Sequence, residues 1–174
     1  PQKFLVVGLG IQGVKRRVII GERSCLTVDP LVATADYIRI QDVSLDSFDV
    51  VFLCTPDSVK KEIVEYCVTY RKHVLIEKPF TLEPAAYAEL SSLQENTGST
   101  VYVAYNHRFE PHIARVKELL EQGDLGEIYT VSLSYGNGTA ELVRLSDWRD
   151  IGIGVVADLG SHLLDMIDFW WGLE

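Results

Sequence analysis

Five short apolar runs constrain the fold of this chain more than any other feature. They are KFLVV at 3–7, CLTV at 25–28, FDVVFLC at 48–54, VLI at 74–76 and TVYVAYN at 100–106. The first four stop abruptly, at Gly8, Asp29-Pro30, Thr55-Pro56 and Glu77-Lys78-Pro79. Uninterrupted apolar strands of this length are buried on both faces, as in parallel sheets. Helical patterns lie between them. In 58–70, Val59, Ile63, Tyr66, Cys67 and Tyr70 share one face. Thr81 is placed to cap a helix with Pro84 in its first turn, Leu90 and Leu93 toward the sheet and Gly98 at its end. Strand–helix–strand alternation implies a doubly wound α/β sheet.

After Asn106 the pattern changes. Residues 111–122 make an amphipathic helix, with Ile113, Val116, Leu119 and Leu120 on one side and Gly123 as its stop. EIYTVSLSY at 127–135 alternates strictly, with Tyr129, Val131, Leu133 and Tyr135 on one face, which predicts a half-buried strand. Residues 136–154 read as a long polar, glycine-rich loop, and 156–171 as a helix. The domain boundary is expected near residue 105, giving domains 1–105 and 106–174.

With 174 residues, 47% of them hydrophobic, the chain can build one good-sized core, or one domain and part of another. Its formal net charge of −9 gives it no general attraction for nucleic acid or anionic membranes. No apolar run approaches the length of a membrane span, and no signal peptide is recognisable. Cys25, Cys54 and Cys67 have no metal-ligand spacing and read as reduced core residues of a cytoplasmic protein, so no metal is expected. The chain begins at Pro1 and ends just after an apolar helical pattern, which suggests a fragment or a trimmed form.

GLGIQG at 8–13 fits G-x-G-x-x-G, and it follows a strand and precedes a helical stretch, the context that the motif requires. Gly8 permits the tight turn, Gly10 lets a pyrophosphate approach the backbone, and Gly13 lets helix and strand pack closely. The helix N-terminus then faces the phosphates. Asp29 ends the second strand about 20 residues after the first glycine, the offset at which a carboxylate meets the ribose hydroxyls of NAD and repels the extra phosphate of NADP. NAD is therefore favoured over NADP. The alternative is an ordinary glycine-rich turn with a surface aspartate beside a turn proline.

GLGIQG, CTP at 54–56, EKP at 77–79, YNHRFEP at 105–111 and ADLGSHLLD at 157–165 occur in that order. Together they resemble the Gfo/Idh/MocA family of NAD(P)-dependent oxidoreductases. The resemblance implies an N-terminal Rossmann domain, then part of an α+β domain with an open, mainly antiparallel sheet. It implies hydride transfer at a hydroxyl carbon of a sugar, nucleotide sugar or polyol, and a homo-oligomer joined through the second domain. Cofactor contacts are expected at Gly8, Gly10, Ile11, Gln12, Gly13, Asp29, Pro30, Thr55, Pro56, Glu77 and Lys78. Several features depart from the family. The stretch after the second strand is short, so one helix is expected to shrink to a loop around 31–40. Lys60 stands where the family often has a histidine, and Arg71 replaces a usual glycine. Family members are about twice as long.

In a doubly wound sheet, ligands sit beyond the carboxyl ends of the strands. VLI therefore carries Glu77 and Lys78 toward the nicotinamide side. A lysine there can take the hydroxyl proton or hydrogen-bond the developing alkoxide; the resemblance assigns Lys78 that role. On residues alone, a strand simply ending at the surface is an equal reading. Asp158 and His162 are four apart and share a helix face; an imidazole can relay a proton and a carboxylate can orient it. These two join Lys78 as catalytic candidates, with Asp165 as a supporting partner; a buried polar patch or a helix cap is the alternative. Asn106, His107 and Arg108 are substrate candidates at the domain junction, although Arg108 suits a bracing role better. Trp148 and Arg149 could contact a sugar or phosphate, or anchor a surface loop. The rival functions are an NAD-dependent glycosidase of the same family and a non-catalytic dinucleotide-binding protein.

Overall fold

The computed structural model describes residues 2–21, 24–136 and 156–172; Trp148 and Arg149 lie outside the described residues. The chain divides into two compact units, Pro1–Ala104 and Tyr105–Glu174.

The first unit is one parallel sheet of five strands. β1 is Phe4–Val7, β2 Cys25–Val28, β3 Val50–Leu53, β4 His73–Ile76 and β5 Val101–Val103, and they lie in the order β2-β1-β3-β4-β5. Each apolar run thus forms a strand, trimmed where a charge or turn residue takes over. The connections are helices α1 (Ile11–Ile20), α2 (Asp57–Thr69) and α3 (Pro84–Thr97). The chain steps one way from β1 to β2 and the other way from β3 onward. Right-handed crossovers therefore put α1 on one sheet face and α2 and α3 on the other. The α2/α3 face carries the core: Leu5, Val7, Val28, Val51, Leu53, Val74 and Ile76 are buried there with Val64, Cys67 and Val68 of α2 and Leu90 of α3. On the α1 face Phe4, Phe52 and Leu75 are half-buried, the two phenyl rings tilted at 5.8 Å.

Between β2 and β3 there is no α-helix, only single 3-10 turns at Ile40–Asp42 and Leu45–Ser47, as the short spacing implied. What remains of a further edge strand is one parallel bridge, Val28 to Tyr37. With Tyr37 counted as a strand, the order becomes that of a dinucleotide-binding sheet, 3-2-1-4-5-6. Side chains hold this shortened connection. The Asp36 carboxylate accepts from the backbone N–H of Thr27 at 2.9 Å and from its hydroxyl at 2.6 Å.

Three local expectations are corrected. The buried face of α2 is Lys60, Val64, Cys67 and Val68, while Val59 and Tyr70 are exposed. A lysine occupies a core position, so the apolar periodicity points one residue out of phase with the buried face. Helix α3 begins at Pro84 with Glu83 as its cap residue and no side-chain cap bond, so Thr81 does not cap it; its end at left-handed Gly98 is as expected. Residues 127–135 form no strand, and the described part of the second unit contains no antiparallel sheet. A strand needs a ladder partner for its backbone groups, and none is present among the described residues.

The second unit contains α4 (Pro111–Glu121) and α5 (Ser161–Trp171), the latter entered through a π-helical turn at Val156–Gly160. The Trp170 indole donates to the Ile113 carbonyl at 3.0 Å, and the Lys117 ammonium to the Phe169 carbonyl at 2.6 Å. These bonds tie α5 to α4.

Asp36→Ala should lower stability by about 1–2 kcal/mol, because it strips the buried Thr27 of two acceptor contacts. Asp36→Asn should lose less. Urea unfolding checks this; an unchanged midpoint for the alanine variant would show the contacts to be idle.

Candidate active site

The glycine loop is built by close approach. Gly8 has φ +90°, and a Cβ there would sit 2.7 Å from the Cys54 carbonyl oxygen. A Cβ on Gly13 would sit 1.8 Å from the Gly8 carbonyl oxygen. Gly10 differs: a Cβ there would meet nothing within 4 Å. It precedes α1, whose first turn has no side-chain cap bond and no acidic residue. The first N–H groups of α1 thus face open space beside a residue without a side chain, the arrangement that admits an anion. Thr55, at the end of β3, holds a buried hydroxyl with no hydrogen-bond partner among the described residues. A dinucleotide phosphate fits the donors and the space present.

Asp29 does more than its offset suggested. One carboxylate oxygen accepts from the Leu9 N–H at 2.7 Å; the other accepts from Leu31 at 2.8 Å and Val32 at 3.1 Å. It therefore fastens the glycine loop to the connection after β2. A carboxylate has about four acceptor positions, so capacity for a further donor remains. Beside it opens a cavity of about 620 Å³, lined by Asp29, Pro30, Leu31, Asp36, Tyr37 and Asp42 among others.

At the other end, Glu77 and Lys78 leave β4. The Glu77 N–H donates to the Leu53 carbonyl at 2.9 Å, and the Glu77 carboxylate pairs with Arg16 of α1 at 2.6 Å, mostly buried. Lys78 is half-buried, and the Lys78–Pro79 peptide is cis. β2 and β4 are three strand spacings apart, roughly 14 Å. The acid-lined cavity, the glycine loop and Lys78 thus follow one another along the carboxyl edge of a single sheet. Cys54 and Cys67 are poor nucleophiles, since burial pushes each thiol up to about 12.

In the second unit, Asp158 lies in the π-helical turn and His162 in the first turn of α5, both buried. The His162 ring meets the rings of His107, Tyr105 and Tyr135 edge-on, at 4.5, 5.7 and 5.9 Å between centroids. Burial, foremost, pushes the Tyr105 phenol above its usual range. His107 also engages Glu110, and Asn106 is exposed. Arg108 is a brace: its fork takes both oxygens of Asp165 at 2.7–2.9 Å and one of Asp168 at 2.7 Å. Asp165 therefore serves Arg108 as an acceptor. Bonding to Asp165, foremost, holds the guanidinium above its ordinary range. Tyr135, expected only on a strand face, stands beside His162, and no local sequence signal marks it. Among the described residues no group of three or more His, Cys, Asp or Glu side chains could hold a metal.

The chain belongs to the Gfo/Idh/MocA oxidoreductase family. Residues 30–105 match its NAD-binding Rossmann-fold model, and residues 113–174 match a Gfo/Idh/MocA C-terminal domain model. An uncharacterized oxidoreductase of Schizosaccharomyces pombe is 35% identical over 133 residues, 74% of this chain and 36% of the relative. The scyllo-inositol 2-dehydrogenase (NADP(+)) IolW of Bacillus subtilis is 27% identical over 78% of this chain and 38% of its own length. The chain thus spans well under half of these relatives. Among solved structures, the WlbA dehydrogenase from Bordetella pertussis, in complex with NADH and UDP-GlcNAcA, aligns with a TM-score of 0.78 at 20% identity, over 98% of this chain and 58% of that one. At that identity the likeness is one of fold.

Gly13→Ala should cost about 3 kcal/mol, because its methyl group would overlap backbone that cannot yield. Gly10→Ala, with open space around it and an extended backbone, should stay within about 1 kcal/mol of the parent. Chemical denaturation of both checks this; equal losses would contradict the assignment of different duties to the two glycines.

Proposed function

We propose that this protein is an NAD-dependent dehydrogenase or reductase acting on a hydroxyl-bearing carbon of a sugar, nucleotide sugar or polyol. The observation that carries the proposal is the sequence of features along one sheet edge: acidic cavity at β2, open glycine cradle at β1, lysine at β4. The spacing suits the adenosine, pyrophosphate and nicotinamide parts of a dinucleotide. Membership of an oxidoreductase family supports it, as do relatives named for inositol chemistry or bound to a nucleotide sugar.

When bound, the nicotinamide supplies the hydride acceptor. Gly10 and the first turn of α1 would hold the pyrophosphate, and Asp29 would orient the ribose. Lys78 would accept the hydroxyl proton or stabilise the developing alkoxide. In the second unit, His162 would be a further proton-handling group, with Asp158 orienting the imidazole. A non-catalytic binding protein would have no use for Lys78, Asp158 and His162 together.

Two outcomes are expected of the intact protein. Lys78→Ala and His162→Ala should each lower turnover by about 10²–10⁴ while NAD affinity holds. Screening polyols and nucleotide sugars by the absorbance of reduced cofactor supplies the assay, and undiminished turnover in Lys78→Ala would sink the mechanism. Asp29 lines the cavity, its carboxylate bonded to backbone N–H groups rather than to a cation, so calorimetry should find NAD bound more tightly than NADP. Equal affinities would remove the case for NAD.

A further inference from the structure

Lys60 is the one lysine among the described residues that is buried, at 2% exposure. It stands one turn before Val64 on the core face of α2, where periodicity calls for an apolar side chain. An isolated ammonium is costly to bury, several kcal/mol even after relaxation. Here all three of its donors are placed. The ammonium donates to the Glu77 carbonyl at 2.6 Å, to the Pro79 carbonyl, and to the Asp57 carboxylate at 2.6 Å. The two carbonyls bracket Lys78. With the Glu77 N–H on Leu53 and the Glu77 carboxylate on Arg16, the turn that carries Lys78 is held by three groups, Lys60, Leu53 and Arg16.

We infer that Lys60 is a positioning residue for Lys78: from beneath the turn, its ammonium clamps the carbonyls on both sides of Lys78 and so sets the reach of that side chain to the reacting hydroxyl. This inference rests on the reading of Lys78 as the proton-handling group. A packing role alone would be met by methionine or leucine, which match the stem and need no acceptors. A generic surface ion pair with Asp57 would not require burial. The cation is spent on two main-chain carbonyls of one turn, the turn whose middle residue is Lys78. Misplacing an acid–base group by about 1 Å can cost 10²-fold in rate, so a clamp acting only on geometry has a kinetic consequence.

The test uses the intact protein and the variants Lys60→Met, Lys78→Ala and their combination. Lys60→Met should lower kcat at least 10-fold while the NAD dissociation constant stays within about twofold. In the Lys78→Ala background it should cause no further loss, because there is nothing left to position. Should Lys60→Met fail to fold, Lys60→Arg keeps a cation and donors at a different reach and should lower kcat in the same selective way. Independently of turnover, exchange of the Glu77 amide, which donates to the Leu53 carbonyl, should accelerate at least 10-fold in the folded Lys60 variants, with Leu5 and Val51 unchanged. A kcat equal to the parent's, or the same loss in both Lys78 backgrounds, overturns the positioning role. Unaltered exchange at Glu77 overturns the clamp itself. If Lys78→Ala retains full turnover, the reading of Lys78 fails instead, and this catalytic purpose of Lys60 fails with it.

Discussion

The contact between Gly13 and the Gly8 carbonyl governs the first unit. There is no room for even a methyl group between them, so α1 starts directly over the turn that leaves β1. That placement decides three other things. It aims the uncapped first turn of α1 along the sheet edge, it leaves the space beside Gly10 open, and it brings Arg16 within 2.6 Å of Glu77 at the end of β4. A side chain at Gly13 would push α1 off that turn, and Arg16 with it. The glycine motif is thus a packing requirement first, and the binding geometry follows from it.

The two units hold their candidate residues by different means. In the first, main-chain groups dominate: Asp29 gathers three N–H donors and Lys60 gathers two carbonyls. Both charges fix backbone, so the loops they bind behave as extensions of the sheet. In the second, the fixed points are side chains. Arg108 spans Asp165 and Asp168, one and two turns from the start of α5, and its guanidinium lies 5.4 Å from the Phe169 ring. His162 shares the face with Asp165 and is enclosed by aromatic rings. A rigid, paired arginine there orients the helix that carries the histidine.

Much of the first unit was legible because parallel strands are buried on both faces and leave continuous apolar runs; CLTV at 25–28 is a strand to the residue. The glycines were legible because the backbone demands them, and Asp29 by its offset from them, although its three bonds to backbone N–H groups were not. Lys60 was not, since a lysine at a helical core position breaks the very pattern used to find the core. The acceptors that justify it lie 17 and 19 residues away. Asp36 was equally hidden, because its partner Thr27 sits across a loop with no periodicity. The alternation at 127–135 is real in the sequence, but a strand is a property of a pair, and alternation says nothing about whether a partner is at hand. Tyr135 reaches His162 through chain folding that no local pattern records.

The shortened connection after β2 has a further consequence. An exposed sheet edge offers unpaired N–H and C=O groups to any other chain. Along the outer side of β2, the Thr27 N–H is taken by Asp36, the Thr27 carbonyl accepts from Tyr37, and the Asp29 N–H donates to the Tyr37 carbonyl. One residue in bridge contact and one carboxylate thus do the work of an entire flanking strand. Losing a helix here need not leave a template for intermolecular β-pairing, because the edge is closed by the loop that replaced it.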